Sequence, residues 1–199
     1  MILNHLWGLY AHPKEEWHTI DQRHESFFYS LSHIALISLI PAIMGYYSAA
    51  HLGWSIGVGD LIKLTKQSAM LMSVGMYFGL MVGVVALAVL IHELAKAFDA
   101  TPTYTQSLEL AAYTATPIFM VGFASFYPVL WFVMLIGLVG LTYSVYLLYV
   151  GTPILMHIPE EKGFIYASSV VTCGLVLLAI LMAASVMLWS EGMGPVYTG

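Results

Sequence analysis

Apolar residues in this chain fall in long blocks rather than in the short alternating runs of a soluble fold. Five blocks stand out, at about residues 27–50, 69–91, 107–126, 128–150 and 164–189. Each approaches the ~20 residues that a helix needs to cross the hydrocarbon core of a bilayer. The pattern therefore predicts an all-α, polytopic membrane protein, a five-helix transmembrane bundle. The third block carries Thr114, Thr116 and Pro117 and almost abuts the fourth, so a re-entrant hairpin is the alternative there. Thr103-Tyr104-Thr105-Gln106 has the form of a capping box and predicts the start of the third helix.

Ahead of the first block, Pro13 followed by Glu15 and Glu16 makes a good helix start. Trp17, Ile20, His24 and Phe27 then recur at helical spacing, opposite Glu15, Glu16, Arg23 and Glu25. Residues 1–26 are thus expected to hold an N-terminal amphipathic helix lying in the interface. Its tryptophan face is expected toward lipid, with Pro13, Trp17 and Ile20 as the anchor. Leu3, Leu6, Trp7 and Tyr10 suggest a shorter amphipathic turn before it. Residues 27–199 form the membrane domain. The loop from Ala50 to Gln67 is glycine-rich, at Gly53, Gly57 and Gly59, and ends in a short amphipathic stretch from Asp60 to Lys66.

Composition agrees with the pattern. Of 199 residues, 60% are hydrophobic and only 9% charged, against ~25% charged in soluble domains. A net charge of −5 argues against a nucleic-acid partner. Cys173, the single cysteine, lies in an apolar run, which excludes disulfides and thiolate metal sites within the chain. The hydrophobic stretches begin too late and run too long for a cleavable signal peptide. Basic residues set the expected orientation. With the N-terminus in the cytoplasm and the C-terminus outside, Lys14, Arg23, Lys96 and Lys162 lie inside, and Lys63 and Lys66 outside.

Three features bear on function. Gly75, Gly79 and Gly83 form a one-turn-spaced stripe on the second helix, where another helix is expected to pack. An intrachain neighbour is favoured, with Gly137 and Gly140 as a matching surface. Pro41 and Pro117 lie inside spans, as in the broken helices of carriers, but no mid-membrane charge accompanies them. Eight histidines against six Lys plus Arg is an unusual ratio. Among them His33, His92 and His157, with Glu93, Asp99 and Glu109, are the candidate ligands for a divalent metal or other cation at the cytoplasmic side. The alternative is a Glu93–Lys96 surface pair with the histidines among lipid headgroups. No cofactor is otherwise expected. No phosphate loop, nucleophile elbow or catalytic carboxylate pair is present, so no enzymatic activity is expected.

HPKEEWHTI (His12 to Ile20), HELAKAFDATPTYTQSLELAAYTATP (His92 to Pro117) and YLLYVGTPILMHIPEEKGFIYASS (Tyr146 to Ser169) occur here in a set order with five spans. In these the chain resembles the bacterial branch of the Yip family, named for interaction with Ypt/Rab GTPases. The resemblance covers nearly the whole chain. It implies five helices, a cytoplasmic N-terminus and self-association, with Pro13, Trp17, Ile20, Tyr113, Pro117, Tyr149 and Gly151 as scaffold positions. Eukaryotic members carry a long N-terminal domain with an Asp-Leu-Tyr-Gly-Pro type motif. That motif is absent here, so the Rab role is not carried over. The expectation is a non-enzymatic inner-membrane protein that associates with lipids, with itself or with other membrane proteins. The alternative is a small channel or transporter for a metal or other cation.

Overall fold

The computed structural model describes residues 2–23, 25–55 and 61–198, with side chains from Trp7 onward. His24, Gly57, Gly59, Asp60 and the side chains of Leu3 and Leu6, all named above, lie outside the described residues. Two short helices, α1 (Ile2–Ala11) and α2 (Pro13–Arg23), precede five long ones. These are α3 (Phe27–Tyr47), α4 (Lys66–Ala95), α5 (Tyr104–Met120), α6 (Leu130–Leu155) and α7 (Glu160–Leu188). Single π or 3-10 segments extend α3 to Leu52, α4 to Phe98, α5 to Phe126 and α7 to Met193. Among the described residues these five are long and apolar enough to cross a membrane. The chain is an all-α membrane protein.

Side-chain caps start α3, α4 and α5. Ser26 and Thr65 accept from the backbone N–H groups of Tyr29 and Ser68. The capping box appears where the sequence predicts it: Gln106 N donates to Thr103 Oγ1 at 3.2 Å and Thr103 N to Gln106 Oε1 at 2.9 Å. Some helices overrun their apolar blocks into polar residues, α4 to Ala95, α6 to Leu155 and α7 from Glu160.

The third span is the centre of the bundle. In its most apolar window 67% of residues are buried, against 6% for α7. It packs on α3, α4 and α6, whereas α7 leans on α4 and α6 from the outside. This explains why the least apolar span crosses at all. Thr114 and Thr116 face protein rather than lipid, and each hydroxyl donates to a carbonyl one turn back, Leu110 O at 2.6 Å and Ala112 O at 3.0 Å. The α3 and α5 helices run through Pro41 and Pro117 as continuous α-helix, so the broken-helix geometry of a carrier does not arise at these prolines.

Close approach occurs at other glycines than the stripe. A Cβ on Gly122 would lie 2.7 Å from Pro41 Cα, one on Gly163 2.9 Å from Pro153 Cβ, and one on Gly151 2.6 Å from the Trp17 ring. Gly140 meets the α5 backbone at Pro117 O, 3.3 Å away, and so serves α5 rather than α4. At Gly75, Gly79 and Gly137 a Cβ would meet nothing within 4 Å; of the stripe only Gly83 faces a neighbour, Leu181 at 3.1 Å. The favoured intrachain contact along the whole stripe is therefore corrected. Neighbouring helices already pack through prolines and one tryptophan, and the upper stripe is left facing outward.

A second correction concerns α2. Trp17 and Ile20 are fully buried, against α6 and beneath the bundle's N-terminal end, and do not face lipid. Of Trp7 and Trp17, the exposed one is Trp7 on α1. At the opposite end, short extended pieces tie the α3–α4 and α5–α6 connections and the C-terminal segment together. Ser55 pairs with Pro128 and Leu130, and the C-terminal Val196 and Thr198 pair with Thr65 and Lys63.

The glycine contacts make a direct prediction. Gly151→Ala drives a methyl into the Trp17 ring and is expected to cost about 1–3 kcal/mol through overpacking. Gly79→Ala meets open space and leaves the unfolding midpoint of the detergent-solubilised monomer unchanged or slightly raised. Thermal unfolding of the two variants beside wild type checks both.

Candidate functional site

A polar cluster is assembled inside the N-terminal end of the bundle. On α5, Glu109, Tyr113 and Thr116 recur at helical spacing on a buried face. On α3, Ser30 and His33 line a facing buried strip. Tyr113 is the hub. Its hydroxyl donates to Glu25 Oε2 at 2.9 Å. Its ring receives Trp17 edge-on, with centroids 6.2 Å apart, and His33 at 4.7 Å. His33 Nε2 lies 3.0 Å from Thr116 Oγ1. Because the Thr116 hydroxyl donates to Ala112 O, its oxygen is the acceptor, which assigns the imidazole proton to Nε2.

Glu109 is 1% exposed and accepts from the backbone N–H of Glu25, with the carboxylates of Glu25 and Asp21 as electrostatic neighbours. Its Oε1 is buried without a hydrogen-bond partner among the described residues, as are Asp21 Oδ1 and Trp17 Nε1. Buried polar atoms of this kind are costly to leave unsatisfied. They make this the chemically distinctive interior of the protein.

Asp21 links the cluster to the surface. Its other oxygen pairs with His157 Nε2 at 3.0 Å. His157 ends α6 with a left-handed backbone (φ 52°), and Asp99 does the same after α4 (φ 55°). Each stops a helix where glycine is usual and turns its side chain to another element. Asp99 accepts from Lys162 at 2.8 Å, and that ammonium holds the Asp99 carboxyl below its ordinary value. Lys14 reaches Glu160 at 3.4 Å. Ionic ties thus join α2, the α4–α5 turn and the α6–α7 turn at one end.

Between α2 and the α6–α7 turn these ties frame a cleft of ≈900 Å³. Its floor is apolar, formed by Tyr149, Val150, Pro153, Ile154 and Phe164. Its rim is ionic, with Lys14, His18, Asp21, His157 and Glu160.

The six candidate cation ligands are not brought to one place. His33 and Glu109 flank Tyr113, and His157 joins Asp21 nearby. His92 stacks on Tyr104, centroids 3.7 Å apart, beside a separate hollow of ≈230 Å³. Glu93 pairs with Lys96 at 2.7 Å on the surface, and Asp99 with Lys162. Among the described residues no three His, Cys, Asp or Glu side chains could hold a metal together. A common cation site for these six is therefore corrected: helical phase sends them to different faces. Sequence reading missed the roles of Asp21 and Glu25 and the hub role of Tyr113. The signal was the polar repeat Glu109, Tyr113, Thr116 in the least apolar span.

Comparison with known proteins matches residues 7–181 to the Yip1 domain. The chain is also 32% identical over 191 residues to inner membrane protein YohC of Escherichia coli (strain K12), covering 96% of this chain and 98% of that protein. The same protein of Escherichia coli O6:H1 matches to the same extent. No solved structure matches.

Two outcomes test the site. Tyr113→Phe removes the hydroxyl that Glu25 accepts and is expected to cost about 1–3 kcal/mol. Glu109→Gln keeps an acceptor for the Glu25 amide on a neutral side chain of nearly the same size, so its unfolding midpoint does not fall. The exposed Asp99–Lys162 pair gives a pH signature. Its stabilisation is present above the ordinary Asp value of ~3.9 and lost as pH falls through the lowered folded value. The midpoints of wild type and Asp99→Asn, measured in detergent, should differ slightly at neutral pH and converge in acid.

Proposed function

Because the chain belongs to the Yip1 domain family, we propose that it acts without catalysis, by associating with other membrane proteins or with lipids. One observation supports this reading most directly: α4 leaves a glycine-bearing face open on the outside of the bundle. The α7 helix is almost wholly turned outward, and so is the α4 face that holds Gly75, Gly79, Phe78 and Val82. Open small-residue surface of this type allows close helix approach in lipid. The scatter of the candidate cation ligands supplies no path for a transported ion, which weighs against the channel or transporter alternative.

The inner membrane is the proposed location, with the N-terminus in the cytoplasm. The distribution of basic residues supports that orientation. Lys14, Lys96 and Lys162 gather at the end bearing α2, beside Glu160, Glu93 and Asp99, while Lys63 and Lys66 adjoin the opposite end.

Photo-reactive residues placed at Val82 on α4 and Met182 on α7, irradiated in native membranes, test the reading. A protein-sized adduct is expected from Val82. If both positions give no protein adduct, and the purified chain conducts ions across liposomes, association is the wrong reading.

A further inference from the structure

We propose that the cleft between α2 and the α6–α7 turn binds one phospholipid with a zwitterionic head bearing a primary ammonium, of the phosphatidylethanolamine class. The proposal rests on the association reading and deepens it by naming a lipid and its seat.

The shape suits a lipid better than a soluble ligand. The cleft is of the size of small-molecule sites, ~300–1,000 Å³, and lies where α6 ends at Leu155 and α7 begins at Glu160. That is the boundary between the membrane-spanning helices and the ionic end. Phe164 and Tyr146 line it and are 63% and 46% exposed, so its flank opens toward the side of the bundle that lipid covers. Beneath, Pro153 packs on Gly163 and draws α6 and α7 together, which closes the floor. An acyl chain entering past Phe164 would lie along Val150 and Ile154, and its head would stay at the rim.

Charge decides which head. The rim presents Lys14 and two histidines together with the carboxylates of Asp21 and Glu160. A purely anionic head would gain Lys14 but meet both carboxylates. A zwitterionic head offers its phosphate to Lys14, His18 and His157 and its ammonium to Glu160. The rim pair can open for it at little cost. Lys14 and Glu160 are 3.4 Å apart, with side chains 68% and 83% exposed, and exposed pairs of this kind contribute little on their own. A primary ammonium donates hydrogen bonds to a carboxylate, and a trimethylammonium has none to donate. The ethanolamine head is therefore the better match.

The test uses the full chain, released from nanodiscs of equal phosphatidylethanolamine, phosphatidylglycerol and phosphatidylcholine into native mass spectrometry. Wild type is expected to retain one phosphatidylethanolamine several-fold over either other lipid. Val150→Trp fills the cleft and should lose that adduct. Lys14→Gln removes an exposed cation whose pair contributes little on its own, so it should lose the preference at a nearly unchanged unfolding midpoint. Retention of all three lipids alike by wild type overturns the proposal, as does a preference that survives both variants. Loss of lipid preference alongside intact Val82 adducts removes this cleft and leaves the association reading standing. A selective adduct without any Val82 cross-link supports the cleft and counts against a protein partner.

Discussion

The contact on which the N-terminal end depends is Trp17 lying on the bare backbone of Gly151. The indole is fully buried, its ring within contact of a position where even one methyl would collide. Tryptophan brings ~150–250 Å² of surface to such a contact, and only glycine lets α2 come close enough for the ring to reach α6. The same ring meets Tyr113 edge-on, so one side chain ties α2 to both α5 and α6. With α2 held there, Asp21 is placed beside His157 and the cleft acquires its ionic wall. Pull Trp17 away, and Tyr113 loses a neighbour while the cleft loses one side.

Polarity is sorted in this molecule by a membrane's logic. Lipid cannot satisfy a polar group, so polar side chains are drawn to the helix that touches protein on most sides. The α5 helix has the lowest hydropathy of the five spans and the greatest burial. Its threonines return their hydroxyls to their own backbone, and Glu109 and Tyr113 meet partners from residues outside α5. The apolar α7 has nothing to hide and stays at the periphery. Hydropathy alone ranks these two helices in the reverse order of structural importance.

The number of the spans was legible because length and apolarity are local properties. The capping box at Thr103 and Gln106 was legible for the same reason, since four consecutive residues contain the whole device. Less legible was anything that depended on which way a face turns. Trp17 and Ile20 have the spacing of an interfacial stripe, and spacing is equally consistent with burial against a bundle. His33, His92 and His157 occupy spans or span ends expected at one membrane face. Their partners, Thr116, Tyr104 and Asp21, are set by helix rotation about the long axis, which no count of residues encodes.

The glycine stripe failed for a more general reason. In water an exposed groove is filled because burying apolar surface is favourable; in a bilayer the tails are as apolar as the side chains, and an open groove has no such penalty. Gly75 and Gly79 can therefore stay outward in a stable monomer. Gly122, Gly151 and Gly163 differ from them by what stands opposite: a proline ring or an indole, rigid groups that no rotamer change can withdraw. Contact in this bundle is set by rigid, bulky partners seeking bare backbone rather than by glycines seeking each other. The small-residue surface left over is where geometry still permits a helix from outside the chain.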